Sequence, residues 1–257
     1  MAIGFSNIPA DIRVPLFYAE MDNSAANSAS SAMRRLIVAQ VNDNVAPAEV
    51  GKLVLVSSVA LAKNIGGQGS MLASMYETWR KTDPLGEIWC LPLHNVEGAI
   101  AQGVLTLTGA ATQSGMLNLY VGGVRVQAAI VNGATAAQAA TALALKINAA
   151  ADLPVIAAAA EGVVTLSAKW TGDSGNGISL QFNRLGKGNG EDTPAGLTTA
   201  ITAMTGGAGV PDQTAAVAAL GDEPFEFIAM PWSDVASLNT WQAVMDDSTG
   251  RWSWAKQ

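Results

Sequence analysis

The chain has 257 residues, enough to bury one large core or two smaller ones. Apolar side chains make up 49% and charged ones 14%, against roughly 25% charged in an ordinary soluble domain, yet no apolar run approaches the roughly 20 residues of a membrane-spanning helix. A formal net charge of −7, a pI near 4.6 and no concentration of Lys or Arg argue against a general nucleic-acid binder.

The opening stretch is unusual. Two apolar-aromatic patches, Phe5 to Pro9 and Val14 to Tyr18, sit among prolines and lead into a Ser/Ala/Asn tract. Pro9 and Pro15 disfavour helix and bias the residues before them toward extended conformations. Residues 1–34 therefore read as an extended arm with no core of its own. Its apolar residues Phe5, Ile8, Val14, Leu16, Phe17 and Tyr18 are expected to contact a neighbouring copy, for example by adding a strand to a sheet edge. The N-terminus lacks the basic-then-apolar pattern of a secretory signal, so synthesis inside the cell is expected. Cys90 is the only cysteine, which leaves neither a disulfide framework nor a Cys-based zinc site.

After the arm, Arg35–Val41 and Lys52–Ser57 are β-branched apolar runs and read as buried strands. Gly69 to Thr82 carries Met71, Leu72, Met75 and Trp79 at helical spacing, and Asp83-Pro84-Leu85-Gly86 stops it. Glu87–Leu93 reads as a third strand, so the order strand–helix–strand predicts a parallel α/β layer. From Gly98 to about Gly209 the composition turns to Gly, Ala and Thr. Alternating strands are expected at 104–108, 116–121, 124–131, 163–168 and 178–182, with Gly122-Gly123 as a hairpin turn. A helix capped by Thr135 interrupts them and presents Ala136, Ala139, Ala140, Leu143 and Ile147 to a core.

At Asp212 the first style resumes. A helix is expected at 213–220, a strand at 225–230, and a helix from Ser233-Asp234 that uses Val235, Leu238, Trp241, Val244 and Met245. Residues 251–255 resemble the start of another strand, so the α/β layer is expected to be incomplete at its C-terminal end. The predicted fold class is thus an α/β layered domain formed by 35–97 and 210–257. It carries an inserted β-rich α+β domain at 98–209 and the extended arm at 1–34.

Three separated segments, NIPADIRVPLFYAEMDNSAA, ALGDEPFEFIAMPWSD and DDSTGRWSWAKQ, occur in an order that resembles the tail sheath proteins of Mu-like contractile phages and prophages. The Gly/Thr-rich module ending in TGGAGVPD resembles the inserted β-domain of that family. The resemblance covers essentially the whole chain and rests on structural segments, with no catalytic motif. It implies a virion structural subunit, assembled in the host cytoplasm, that polymerises in rings around the tail tube and contracts to drive it through the host envelope. The implied partners are neighbouring sheath subunits, the tail tube protein, and baseplate and tail terminator proteins. It also implies an outward-facing insert and a longer polypeptide, whose C-terminal part pairs with neighbouring arms. Such links bend while subunit bodies rotate, and contraction then runs downhill from a metastable packing.

Chemical motifs are weak by comparison. Gly172-Asp-Ser-Gly-Asn-Gly177 is similar to the nucleophile loop of chymotrypsin-like proteases, and His94 is the only histidine available as base. His94 ends an α/β strand outside the module that holds Ser174, so the run reads instead as a Gly-rich hairpin. Gly66-Gly67-Gln68-Gly69-Ser70 lacks the lysine and spacing of a phosphate loop, and 186–192 reads as an exposed tip. Asp222-Glu223 and Asp246-Asp247 read as helix-end or turn chemistry, and Arg34-Arg35 as a solvated strand start or an anchor for an acidic neighbour. Trp232, Trp241, Trp252 and Trp254 read as core and interface anchors. No convergent titratable set exists, so no enzyme, catalytic residue, cofactor or metal is expected. The alternative function is a surface- or carbohydrate-binding module that uses Trp170 or Tyr120 on the β-rich insert.

Overall fold

A computed structural model describes residues 34–45, 50–94, 97–221, 223–246 and 248–253, all within the unit Arg34–Gln257. The first part of the chain forms β1 (Arg35–Gln40), β2 (Val54–Leu55), α1 (Val59–Gly66), α2 (Met71–Thr82) and β3 (Ile88–Leu93). There follow β4 (Ile100–Gly109), β5 (Gly115–Val121), β6 (Val124–Ile130), α3 (Ala136–Ala149), β7 (Val155–Ala160) and β8 (Val163–Thr171). Then come β9 (Leu180–Phe182), β10 (Leu197–Thr205), α4 (Gln213–Ala219), β11 (Phe227–Ala229) and α5 (Val235–Met245). The protein is a mixed α/β structure with several sheets.

β1 is apolar from Leu36 to Ala39 because it is covered on both faces and paired on both edges. It runs parallel to β3 along all of its residues and parallel to β11 from Arg35 to Ile37. The first sheet has the order β11-β1-β3-β2. One face packs on α1 and α2 through Ile37, Ala39, Leu72, Tyr76 and Ile88. The other packs on α4 and α5 through Leu36, Val38, Leu91, Val217 and Trp241. Ser58 and Ser70 cap the first two helices, accepting from the Leu61 and Ala73 amides at 3.2 and 3.1 Å.

Several expectations for this layer need correction. Only Val54–Leu55 of the predicted 52–57 strand pairs, and it runs antiparallel to β3 at the edge, with Leu55 exposed. β3 has taken β1 as its parallel partner, which leaves β2 a short outer position. On α2, Met71 and Leu72 are buried as expected, with Ala73 and Tyr76. Met75 and Trp79 lie half-buried beside a groove of about 450 Å³. On α5 the buried stripe is Ser237, Trp241 and Val244, whereas Val235, Leu238 and Met245 face outward. Helical spacing allows either stripe, and Trp241, with the largest apolar surface, sets the rotation. Arg251–Ser253 form a turn and not the start of a strand, and Trp252 is buried against Phe225 with ring centroids 6.0 Å apart.

The Gly/Thr-rich segment builds two antiparallel sheets, ordered β10-β4-β8-β7 and β6-β5-β9, around one core. α3 closes that core with Ala139, Ala140, Leu143, Ala144 and Ile147 buried and Ala136 at its margin. Thr135 and Gln138 form a reciprocal capping box. β5 and β6 meet through Gly122-Gly123, both with positive φ, as a two-residue hairpin of this twist requires. β7 and β10 were not expected, because VIAAAA and LTTAITAMT carry little apolar alternation. Glu161-Gly162 joins β7 to β8 with positive φ at both residues, a turn that a glutamate does not advertise.

Replacing a buried leucine of α3 tests this packing. Leu143→Ala should cost about 2–5 kcal/mol in urea unfolding, since it is fully buried between helix and sheets. Leu145→Ala on the same helix, 66% exposed, should cost less than about 0.5 kcal/mol.

Candidate functional site

The six residues expected to contact neighbouring copies, Phe5, Ile8, Val14, Leu16, Phe17 and Tyr18, lie outside the described residues. What the structure does describe are the surfaces such a contact could use. β11 ends the first sheet, and among the described residues nothing pairs with its outer edge. Phe227 on that strand is 50% exposed. An unpaired edge of this kind can template an added strand.

The Gly172–Gly177 run is a tight 3-10 turn from Asp173 to Gly177 and joins β8 to β9, which belong to different sheets. It is therefore not a hairpin. Ser174 Oγ donates to Gln40 Oε1 at 2.8 Å and accepts from Trp170 Nε1 at 3.0 Å. Neither partner can take a proton from the hydroxyl, so the residue is a structural link. Gln40 is fully buried, and its Nε2 donates to the Thr171 carbonyl at 2.7 Å. Thr171 Oγ1 in turn donates to Asp43 Oδ2 at 2.6 Å. These bonds tie the end of β1 to the end of β8.

Beside this junction lies a cleft of about 540 Å³, bounded by Asn42, Asp43, Gln68, Ile100, Ile156 and Lys169. Lys169 Nζ donates to the Gln68 and Ala151 carbonyls at 3.0 and 2.7 Å. Burial holds its pKa below the ordinary lysine value, with nearby Asp152 opposing. The run 66–70 closes α1 and caps α2, so its glycines serve a helix–helix corner. No group of three or more His, Cys, Asp or Glu that could hold a metal occurs among the described residues.

Tyr120 and Trp170, the residues suggested for carbohydrate stacking, are 8% and 4% exposed and offer no open ring face. Tyr120 OH donates to Glu191 Oε1 at 2.6 Å. Glu191 is also buried and accepts from Arg125 Nη1 at 3.3 Å and from the Leu185 amide at 2.9 Å. The 186–192 segment is thus anchored inward by Glu191, a role the sequence did not reveal because the residue sits in an otherwise polar, Gly-rich run. Burial pushes the Glu191 carboxyl up, but the hydrogen bonds from Tyr120, Leu185 and Arg125 outweigh it and hold the pKa below the usual value.

Three of the charged residues singled out in the sequence have partners inside the chain, Arg34, Arg35 and Asp246. Arg34 pairs with Glu223 at an exposed position, and Arg35 with Asp83 at 2.9 Å in a half-buried one, so the strand start is tied to acidic partners of the same chain. Asp246 accepts from the Ser248 and Thr249 amides and closes the turn after α5, while Asp222 and Asp247 lie outside the described residues. Trp232, Trp241 and Trp252 are buried, as core anchors should be, and Trp254 lies outside the described residues.

No protein-family model matches the chain. It is similar along its whole length to the Mu-like prophage FluMu tail sheath protein of Haemophilus influenzae, at 38% identity over 259 residues. The match takes in 100% of this chain and 52% of that protein, so the chain spans about half the length of its curated relative. Among solved structures, a sheath tail protein from Listeria innocua aligns with 85% of this chain and 46% of its own, at 16% identity and a TM-score of 0.31.

Two outcomes test these contacts. Ser174→Ala should destabilise the protein by about 1–3 kcal/mol in denaturant titration, because it strands a buried Gln40 oxygen and an indole N–H. Glu191 has a folded pKa below its unfolded value, so its stabilisation is complete above the unfolded carboxylate pKa and is lost as pH falls through the folded one. Thermal midpoints should therefore fall below about pH 4.5 in the wild type, and Glu191→Gln should flatten that part of the profile.

Proposed function

We propose that this chain is part of a contractile tail sheath subunit, which polymerises around a tail tube and contracts to drive the tube through a host envelope. The observation that carries this reading is the 38% identity with a prophage tail sheath protein over the entire chain. Its partners on this reading are neighbouring sheath subunits, the tube protein, and baseplate and terminator proteins, with assembly in the host cytoplasm and residence in the virion tail. The role is structural and needs no catalytic group.

The domain division proposed is an arm at 1–34, an α/β domain at 35–97 and 210–257, and an inserted β-rich domain at 98–209. Supporting it, the chain leaves and rejoins the α/β part through an antiparallel bridge between Ala99 and Ala208. Their amides and carbonyls exchange bonds of 3.0 and 3.1 Å. Closely spaced termini are what an insertable module needs. Phe5, Ile8, Val14, Leu16, Phe17 and Tyr18 are proposed to bury themselves on the sheet edge of a sister subunit, tethering copies by main-chain hydrogen bonds. Head-to-tail joining of this kind builds a helical tube.

Electron microscopy of the protein expressed from its complete reading frame tests the reading. Tubes of uniform width are expected, and removal of residues 1–34 should abolish them while leaving a folded monomer. Folded protein that stays monomeric at high concentration, with or without the arm, would overturn the assignment.

A further inference from the structure

The inward row of β8 serves two cores. Side chains alternate along a strand, so Val164, Leu166, Ala168 and Trp170 share one face, and all four are buried. The first three pack in the β-rich core. Trp170, the next in the same row, packs instead with Ile37, Ala39 and Tyr76 of the α/β layer. Ile178, just beyond the 3-10 turn, packs against both cores. One strand thus carries a continuous apolar row out of one core and into the other.

The chain crosses between the two parts at glycine-rich places, Gly98 and Gly206-Gly207-Ala208-Gly209. Small residues at a crossing ordinarily suggest a hinge. The structure gives these glycines another role. A Cβ at Gly98 would strike the Ala208 carbonyl, and one at Gly207 the Gly172 carbonyl. They let backbones approach closely, and the approach is bonded. The Gly172 amide donates to the Ala99 carbonyl at 3.1 Å and the Asp173 amide to the Gly209 carbonyl at 3.0 Å. The Asn176 side chain exchanges two bonds of 2.9 Å with the Gly207 backbone. Both crossings are therefore fixed onto the end of β8, which Gln40 ties to β1.

We propose that β8 makes the β-rich core and the α/β core one cooperative unit, in which neither opens without the other. A segment inserted at closely spaced ends is ordinarily free to fold by itself, and separate opening of such parts is common. Here, opening the β-rich core means withdrawing Trp170 from its place against β1 and α2 and stranding the Gln40 amide. Unfolding the α/β layer in turn exposes the Trp170 ring and leaves Ser174 without its acceptor. On the sheath reading, a pull on the β-rich segment reaches the α/β layer directly and is not absorbed in a hinge. That consequence rests on the sheath reading, whereas the coupling itself does not.

Native-state hydrogen exchange of the 257-residue protein tests the proposal. Leu143→Ala, in the β-rich core, should speed the slowest amides of β4 and β8 about 30-fold or more. Coupling predicts the same factor for the slowest amides of β1 and β3, although Leu143 belongs to neither core around them. Leu145→Ala, exposed on the same helix, should leave both sets within about 2-fold. Trp170→Leu with Ser174→Ala should uncouple the parts, so that adding Leu143→Ala then changes β1 and β3 about 3-fold or less. If that variant does not fold, Trp170→Phe takes its place: it keeps a ring, loses the bond to Ser174 and should weaken the shared response. Unchanged β1 and β3 amides in the Leu143→Ala protein would overturn the proposal. A full shared response after the joint is altered would overturn the role given to β8. Neither readout involves tubes, so failure of the sheath assignment leaves the exchange comparison decisive.

Discussion

A glutamine with no exposed surface, Gln40 at the end of β1, holds the two halves of the architecture in register. Both ends of its amide are used, one by the Thr171 carbonyl and the other by the Ser174 hydroxyl. A buried amide that lost either bond would keep the desolvation cost and lose the compensation. The segment 171–174 must therefore arrive at one place relative to the parallel sheet. Trp170 follows from that placement: it leaves the β-rich core and packs with Ile37, Ala39 and Tyr76.

The surrounding contacts reinforce the same junction from different directions. The Asp43 amide donates to the Lys169 carbonyl, and Asp43 Oδ2 accepts from Thr171. Lys169 Nζ spans to Gln68 in the corner between α1 and α2, and Lys63 pairs with Asp152 at 2.8 Å. Polar networks of this kind are favourable only when complete, because each member loses water on burial. The result is a directional joint in which main-chain carbonyls fix the angle. An apolar seam alone would permit sliding.

Much of the fold was legible in the sequence, and the reasons it was legible are local. β1, β3, α2 and α3 announce themselves by period and by caps, as with the Thr135–Gln138 box and the Gly122-Gly123 turn. β7 and β10 were not legible because alanine and threonine carry little hydrophobic contrast, so pairing with β8 and β4 decides their state. The rotation of α5 depended on which stripe Trp241 would choose. Glu191 was hidden for another reason: its burial is created by Tyr120, far away in sequence, and no pattern around residue 191 foreshadows it. The Ser174 link was equally non-local, since its partner Gln40 stands at the end of a strand in another sheet.

The β-rich core shows where much of the unusual composition goes. Alanines 101, 128, 139, 140, 144, 157 and 168 are buried in the β-rich core, where small side chains let α3 approach the two sheets closely. Much of the chain's apolar excess is thus spent inside the molecule, on tight packing. The scarcity of charge is a separate matter, visible on the outward face of β10-β4-β8-β7, where burial does not require it. Interior alanine and exterior threonine therefore answer different constraints, one set by helix–sheet distance and the other by the β-branched side chains that a pleated, solvent-facing strand favours.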